Sequence, residues 1–222
     1  MGGSFRRLIG AAGPALALLA AGQAMAADSV RAGSSMRPAA YYGMEEAERS
    51  DRQLRDAMLT AHNEERDAWK LPPLAWDEAL ASDAARYAAQ MARTGAFRHS
   101  ARTMRTIPSG ENIWMGVRGV YSYAMMADTF LKEREMFRPG EKLPAFSVTS
   151  RWQDVGHYTQ MIWRGTRQVG CALGESEQFD YLVCRYYPAG NSFGKGPLDE
   201  DAPASPLDGS QHASAPVMPG GN

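Results

Sequence analysis

The chain has 222 residues, of which 44% are hydrophobic and 22% charged, and its formal net charge is −1. This composition is typical of a globular domain and excludes collagen, a coiled coil and wholesale disorder. Two cysteines and four histidines exclude a disulfide-dense scaffold and a Cys₄ zinc finger. The net charge gives no electrostatic reason to expect a nucleic-acid partner.

A secretory signal peptide is predicted at the N-terminus. Arg6 and Arg7 precede an apolar run over residues 8–21, and Ala24-Met25-Ala26 has the small-x-small pattern of a cleavage site. A membrane anchor is the alternative interpretation, but the run is shorter than the about 20 residues that a span requires. We therefore predict a signal peptide over residues 1–26 and an exported protein, periplasmic or secreted, that does not span a membrane after cleavage.

Two further segments are expected to flank the folded domain. Residues 27–50 are polar and irregular and predict a linker. Residues 197–222 are rich in Pro, Ala, Gly and Ser and carry acids but no Lys or Arg. Such a segment buries too little apolar surface to offset its ordering entropy, so we predict a disordered acidic tail. The folded domain is then expected over residues 51–196.

Two amphipathic helices are predicted at the start of this domain. Apolar residues recur at helical spacing over residues 54–69 and again over residues 80–91. Asp77 lies near the N-cap of the second helix, and Gly95 is placed to end it.

A third helix is predicted over residues 121–137, with Met126, Phe130, Glu133 and Phe137 along one stripe. A carboxylate removed from water costs several kcal/mol unless it is paired, hydrogen-bonded or bound to a metal. Glu133 is therefore a candidate site residue, and a side chain that reaches solvent from the edge of the stripe is the alternative. The methionine and aromatic residues of this helix fit core packing better than a lipid groove.

Extended segments follow over residues 158–163, 169–173 and 181–186, which are rich in aromatic and β-branched residues and bounded by Gly and Pro. Because the helices come first and the strands later, the pattern favours an α+β fold over a parallel βαβ sheet.

Two histidines and a second glutamate lie near predicted turns. His99 follows the second helix, Glu111 lies in a turn that leads into a short apolar segment, and His157 precedes the first extended segment. Scattered His and Glu residues are weak evidence of a site on their own. His62 begins His62-Asn-Glu-Glu-Arg66, which does not have the HExxH spacing of a zinc protease, and the chain has no GxSxG, P-loop or GxGxxG motif.

Four blocks of the chain, in order, resemble the CAP superfamily, also called SCP-domain proteins. This group includes cysteine-rich secretory proteins, insect venom allergens and plant pathogenesis-related proteins. The resemblance covers residues 55–191. The four blocks are His62-Asn-x-x-Arg66, Gly110-Glu-Asn-Ile113, residues 156–166 (GHYTQMIWRGT) and residues 181–191 (YLVCRYYPAGN).

The resemblance implies a three-layer α-β-α sandwich with a central antiparallel sheet, and a cleft lined by His99, Glu111, Glu133 and His157. His99 and His157 would hold a divalent metal such as Zn²⁺ weakly and exchangeably, since two imidazoles are fewer ligands than a catalytic zinc has. The two carboxylates would orient an imidazole or a metal-bound water. The remaining motif residues are expected to be structural: His62, Asn63, Arg66, Asn112, Gln160 and Trp163.

The function implied is an exported binding protein, with a divalent metal as cofactor and a small lipid, a sterol or another surface ligand as candidate partner. Two alternatives stay open: a metal-dependent hydrolase, such as a protease, that uses Glu111 or Glu133 as general base, and a non-catalytic interaction module. An enzymatic role is the less favoured interpretation.

The two cysteines lie in consecutive extended segments. An antiparallel hairpin would bring Cys171 and Cys184 within bridging distance, and members of the resembled family often keep a similar bridge. We predict a Cys171–Cys184 disulfide.

Overall fold

A computed structural model describes residues 49–200. These residues form four α-helices and one four-stranded sheet. The predicted signal peptide, nearly all of the predicted linker and the tail from residue 201 onward lie outside the described residues. None of the helices within residues 49–200 has the length and apolar character needed to cross a membrane.

The first two helices form as predicted. α1 spans Asp51–Ala68, and the Ser50 side chain caps its start by accepting a hydrogen bond from the backbone N–H of Gln53 at 3.2 Å. α2 spans Glu78–Thr94, where Asp77 accepts from a backbone N–H of the first turn. Gly95 ends α2 at a φ of 69°, the left-handed conformation that glycine adopts without a steric penalty.

The sheet lies between two helical layers. Its strands are β1 (Ala75–Trp76), β2 (Gly110–Val117), β3 (Gln168–Glu175) and β4 (Phe179–Tyr187), in the order β1-β3-β4-β2. β4 runs antiparallel to both β2 and β3, and the two-residue β1 is the one parallel addition among the described strands. The predicted antiparallel sheet is therefore correct for the three long strands.

Alternate side chains of the sheet face different helices. On one face, Ile113, Tyr181 and Val183 pack against α2. On the other face, Trp114 and Leu182 pack in a cluster to which α1 and the third helix contribute. The predicted three-layer α-β-α sandwich is confirmed.

The predicted strand over residues 158–163 is wrong, because the chain there forms a short helix, α4 (Gly156–Met161). Four consecutive side chains of α4, over residues 158–161, are buried. A segment buried on all sides shows neither the period of a helix nor that of a strand, and its aromatic content then favours the wrong choice.

The predicted third helix is shorter than expected. α3 spans Tyr123–Leu131, and the chain continues as a 3-10 turn over Lys132–Met136. Met126, Phe130 and Phe137 of the predicted stripe are buried, so the helix packs in the core as expected. Glu133 lies on the 3-10 turn rather than on the α-helix.

Strand β2 is a second difference from the prediction. The sequence predicted a turn and a short apolar segment around Glu111, whereas residues 110–117 form a full strand between α2 and α3. The order of helices first and strands later is therefore only partly correct. Gly110 and Gly116 weaken the strand pattern in the sequence, because glycine has low strand propensity.

Both ends of the domain extend beyond the predicted boundaries. Arg49, placed in the linker by the sequence, donates to the buried Asp180 at 2.7 Å. At the other end, Arg164 donates to the carbonyls of Pro197 and Leu198 at 2.8 and 3.0 Å, and Leu198 packs against a core cluster. Residues 197–200 therefore belong to the fold.

The predicted disulfide is present. Cys171 of β3 lies directly opposite Cys184 of β4, and the two are bonded across the hairpin, with their Cα atoms 4.1 Å apart. Both cysteines are buried, so the bond joins the two central strands inside the core.

Candidate functional site

The first of two His–Glu pairs joins His157 to Glu133. Glu133 Oε1 accepts a hydrogen bond from His157 Nδ1 at 2.5 Å, while Oε2 accepts from the backbone N–H groups of His157 and Tyr158 at 2.9 and 3.0 Å. The His157 ring stacks on Phe130 with 4.8 Å between ring centroids. Of the two interpretations of Glu133 that the sequence left open, the structure supports the paired one, since both of its oxygens are hydrogen-bonded.

A buried network behind this pair holds the segments that carry it. Glu65 of α1 accepts from the Tyr158 hydroxyl at 2.7 Å and from Arg134 at 2.8 Å. Burial, together with the hydrogen bond to Glu65, raises the pKa of Tyr158, so this hydroxyl remains a donor at neutral pH. Tyr158 thus contacts Glu133 through its backbone and Glu65 through its side chain. The sequence analysis missed Glu65, because nothing in its local pattern marks a partner 93 residues away.

The second pair joins His99 to Glu111. His99 lies in the connection between α2 and β2, and its Nδ1 is 2.7 Å from Glu111 Oε1. The His99 side chain is 60% exposed, whereas that of Glu111 is 1% exposed. The pair therefore places an accessible imidazole on a buried carboxylate.

Glu111 is surrounded by donors. Ser100 donates to it through its backbone N–H at 2.9 Å and its hydroxyl at 2.6 Å, Arg105 approaches at 3.4 Å, and Arg185 forms a close ion pair with Oε2. Burial alone would raise the pKa of Glu111, but the hydrogen bonds from His99 and Ser100 and the charges of Arg105 and Arg185 outweigh it. The pKa is held at about 2.

Arg185 is the centre of this charge network. Its side chain is 1% exposed, its Nε lies 2.9 Å from the Asp83 carboxylate of α2, and its guanidinium lies 5.5 Å from the centre of the Tyr87 ring. The β2–β4 register places Arg185 directly opposite Glu111. The sequence analysis did not single out Arg185, Arg105, Ser100 or Asp83. The one available signal in the sequence was that Arg185 lies within residues 181–191, the last block that resembles the family.

A chain of hydrogen bonds links α1 to the first pair. His62 Nδ1 lies 2.6 Å from the Met58 carbonyl, and Nε2 lies 2.9 Å from the Tyr186 hydroxyl. The Asn112 amide donates to both the Tyr186 hydroxyl and the His157 carbonyl at 3.1 Å. Burial lowers the pKa of His62 to about 4, so at neutral pH His62 is uncharged, Nδ1 donates to Met58 and Nε2 accepts from Tyr186.

Two successive residues at the start of β2 each contact one of the site histidines. Glu111 holds His99 through its carboxylate, and the next residue, Asn112, holds the backbone of His157. The four residues predicted to line a cleft therefore form two separate hydrogen-bonded pairs, His99 with Glu111 and His157 with Glu133.

The other motif residues hold backbone segments. Asn63 makes two hydrogen bonds with the backbone of Leu74, at 3.1 and 2.7 Å. Gln160 accepts from a backbone N–H of the loop after β4 at 2.9 Å, and Trp163 is fully buried. Arg66 is also fully buried. Its acceptors are the carbonyls of Pro72, Met161, Trp163 and Thr166.

The imidazoles of His99 and His157 have the same hydrogen-bonding arrangement. A carboxylate accepts from Nδ1 of each ring, which leaves the Nε2 lone pair of a neutral ring available to a proton or a metal ion. In the part of the chain that the structure describes, no three His, Cys, Asp or Glu side chains are grouped to hold a metal ion.

A family model described as CAP, the cysteine-rich secretory protein family, matches residues 59–186, which is more than half of the chain. The chain belongs to the CAP family. The match includes all four residues of the two His–Glu pairs. It runs from the middle of α1 to the last residues of β4, so the match spans all three layers of the fold.

Curated CAP relatives include a plant protein and a human protein. Pathogenesis-related protein 1C of Nicotiana tabacum is 32% identical over 140 residues, which is 63% of this chain and 77% of the tobacco protein. Golgi-associated plant pathogenesis-related protein 1 of Homo sapiens is 29% identical over 153 residues, which is 68% of this chain and 94% of the human protein. Both relatives therefore align with this chain over most of their own length.

Solved structures of CAP proteins share the fold. A crystal structure of NaASP2 with Zn²⁺ is 26% identical in sequence and covers 65% of this chain and 84% of its own, with a TM-score of 0.54. A crystal structure of Na-ASP-1 is 23% identical, with the same TM-score. The family is described as cysteine-rich, but this chain of 222 residues has only two cysteines, and they form one disulfide.

Proposed function

We propose that this CAP module binds a divalent transition-metal ion, weakly and exchangeably, through Nε2 of His99 and of His157. The observation that carries the proposal is the carboxylate on Nδ1 of each ring. Metal-ligating histidines commonly donate their other ring N–H to a carboxylate or carbonyl, which fixes the tautomer and raises the basicity of the ligating nitrogen.

The donor chemistry suits zinc and similar ions. Neutral imidazole is a good ligand for Zn²⁺, and two such ligands would leave coordination positions to water. A bound ion would supply Lewis acidity and an activated water. The solved CAP structure with Zn²⁺ supports zinc as the first metal to test.

The same contacts argue against hydrolysis with Glu111 as general base. With a pKa of about 2, this carboxylate is too weak a base to take a proton efficiently near neutral pH. Both of its oxygens are also occupied by His99, Ser100 and Arg185. Glu133 has both oxygens committed to His157 and the start of α4. We therefore propose binding rather than catalysis.

Isothermal titration with zinc at neutral pH tests the metal site. We expect weak binding to the wild-type protein, weaker binding to His99→Ala and to His157→Ala, and no detectable binding to the double variant. His212→Ala, which lies outside the described residues, is the matched control and should bind as the wild type does. Undiminished zinc binding by the double variant would contradict the proposal.

Glu133→Gln tests the role of the carboxylate separately from the ligand. The amide can still accept from a ring N–H, but it carries no charge, and loss of such a partner typically weakens metal affinity about 10–100-fold. We expect a fall of this size in the zinc titration, with the thermal midpoint of the metal-free protein recorded in parallel. An unchanged zinc affinity would show that the His157–Glu133 contact does not prepare a metal ligand.

A further inference from the structure

Local charge in this chain differs sharply from its net charge. Between Asp83 and Glu111 the sequence contains no Asp or Glu. The same stretch contains five arginines: Arg86, Arg93, Arg98, Arg102 and Arg105. It comprises most of α2 and the connection to β2, so positive charge is concentrated in this part of the chain.

Part-buried hydrogen bonds attach the α2–β2 connection to the rest of the fold. The Tyr87 hydroxyl donates to the Arg98 carbonyl at 2.6 Å, and Arg105 donates to the Ser100 carbonyl at 3.1 Å. Glu111 accepts from both the backbone and the hydroxyl of Ser100. These contacts anchor the backbone of the connection to the fold.

The side chains of residues 97–104, which we call the basic loop, are largely exposed. Phe97 is 44% and Met104 50% exposed, although both are large and apolar. Arg98 and Arg102 are also exposed. Within residues 49–200, no carboxylate lies at ion-pair distance from either arginine, although other surface arginines, such as Arg52 and Arg151, do have such partners.

We propose that the basic loop docks on the surface of a bilayer that contains anionic phospholipid. Arginines near an anionic membrane are attracted to its headgroups, and an aromatic and a methionine side chain beside them can enter the interfacial region. A purely ionic partner, such as an acidic protein or a nucleic acid, would leave Phe97 and Met104 in water. An anionic bilayer would interact with both the arginines and these apolar side chains.

Vesicle co-sedimentation of the processed protein recovered after export tests this proposal. One set of vesicles is phosphatidylcholine alone, and in the other roughly a third of the lipid is phosphatidylglycerol, enough to give a strongly negative surface. We expect binding to the anionic vesicles that weakens as salt is added, and little binding to phosphatidylcholine. Failure to bind anionic vesicles at low salt would overturn the proposal.

Matched variants separate the loop from the rest of the surface. The pair Arg98→Gln and Arg102→Gln should weaken binding about 25-fold, at about fivefold for each arginine. The pair Arg52→Gln and Arg151→Gln removes the same charge from side chains that are 90% and 74% exposed, and should change binding little. Equal losses in the two pairs would show that only net charge matters and would contradict the assignment to the loop.

A second pair of substitutions tests whether the apolar side chains of the basic loop contribute to vesicle binding. Phe97→Ser with Met104→Ser should reduce the fraction bound, most clearly at higher salt where ionic attraction is screened. Phe193→Ser, at a side chain that is 64% exposed, is the control and should have no effect. Binding unaffected by the Phe97 and Met104 substitutions would exclude insertion into a bilayer.

Repeating the vesicle assay with a chelator separates membrane docking from metal binding. His99 lies inside the basic loop, so a metal ion bound there could bridge to lipid phosphates. We expect the same vesicle binding with and without the chelator. Loss of binding on chelation would contradict docking by the arginines and apolar side chains themselves, whatever the zinc titration shows.

Discussion

Replacing Arg185 with methionine is expected to lower the free energy of unfolding by about 3–5 kcal/mol, as measured by urea denaturation at neutral pH. Arg185 is 1% exposed and lies against two buried carboxylates, Asp83 and Glu111. Methionine has a similar length and keeps the packing, but it leaves both carboxylates in the core without their shared cation. The cause of the loss is the removal of this buried cation rather than a cavity, since Arg86 beside Asp83 and Arg105 beside Glu111 replace it only in part.

Two controls connect this loss to the charge network. Arg55→Met removes an arginine that is 49% exposed and pairs with Glu78, and it should cost less than about 1 kcal/mol because exposed ion pairs contribute little. Adding Glu111→Gln to Arg185→Met should cost less than Glu111→Gln costs in the wild-type protein, since the two residues are coupled. Additive costs would show that Arg185 does not stabilise the fold through its ion pair with Glu111.

The helices that flank the sheet are predictable because each buries one face. α1 and α2 show the helical period of apolar residues, and the caps Asp77 and Gly95 lie where the sequence places them. α4 is not predictable in this way, because its side chains are buried all round. The β2 edge strand is also obscured, since residues 110–117 include two glycines.

The site is predictable only as far as local sequence can indicate it. Glu133 is marked by its position on an apolar stripe, and His99, Glu111 and His157 follow from the family resemblance. Arg185 and Glu65 are not marked, because their significance depends on contacts with residues 74 and 93 positions away. Strand register and helix packing set such contacts, and neither leaves a pattern around the residue itself.

The net charge of the chain also fails to indicate features that depend on the fold. A value of −1 for the whole chain conceals an arginine-rich stretch that the fold anchors through Tyr87 and Glu111. Which of its charges are exposed depends on the fold. Arg105 is turned inward to Glu111, whereas Arg98 and Arg102 remain on the surface.

Acid should destabilise this protein in two successive pH ranges. The folded-state pKa of His62 is about 4 against an ordinary value of 6.5, so the unfolded chain binds this proton more readily and stability is lost as the pH falls from 6.5 to 4. The folded-state pKa of Glu111 is about 2 against 4.5. Its contribution is complete above pH 4.5 and is lost as the pH falls toward 2. Asp83 adds to the lower range, since Thr106 and Arg185 outweigh its burial and lower its pKa.

Glu111→Gln isolates the lower of these ranges. A difference of about 2.5 pKa units corresponds to roughly 3 kcal/mol, which the variant should lack at neutral pH. Below the folded-state pKa, the wild-type carboxyl is itself protonated and resembles the amide. The stability curves of the two proteins, measured by urea denaturation over a series of pH values, should therefore converge as the pH falls.

Glu78→Gln is the matched control for this convergence. Its carboxylate is 77% exposed, so its removal should leave both the neutral stability and the acid dependence close to those of the wild-type protein. Curves for Glu111→Gln and wild type that stay parallel down to acid pH would show that the cost of the substitution is steric. Convergence confined to Glu111→Gln would instead show that the arginines around this carboxylate stabilise its charged form, the form that accepts from His99.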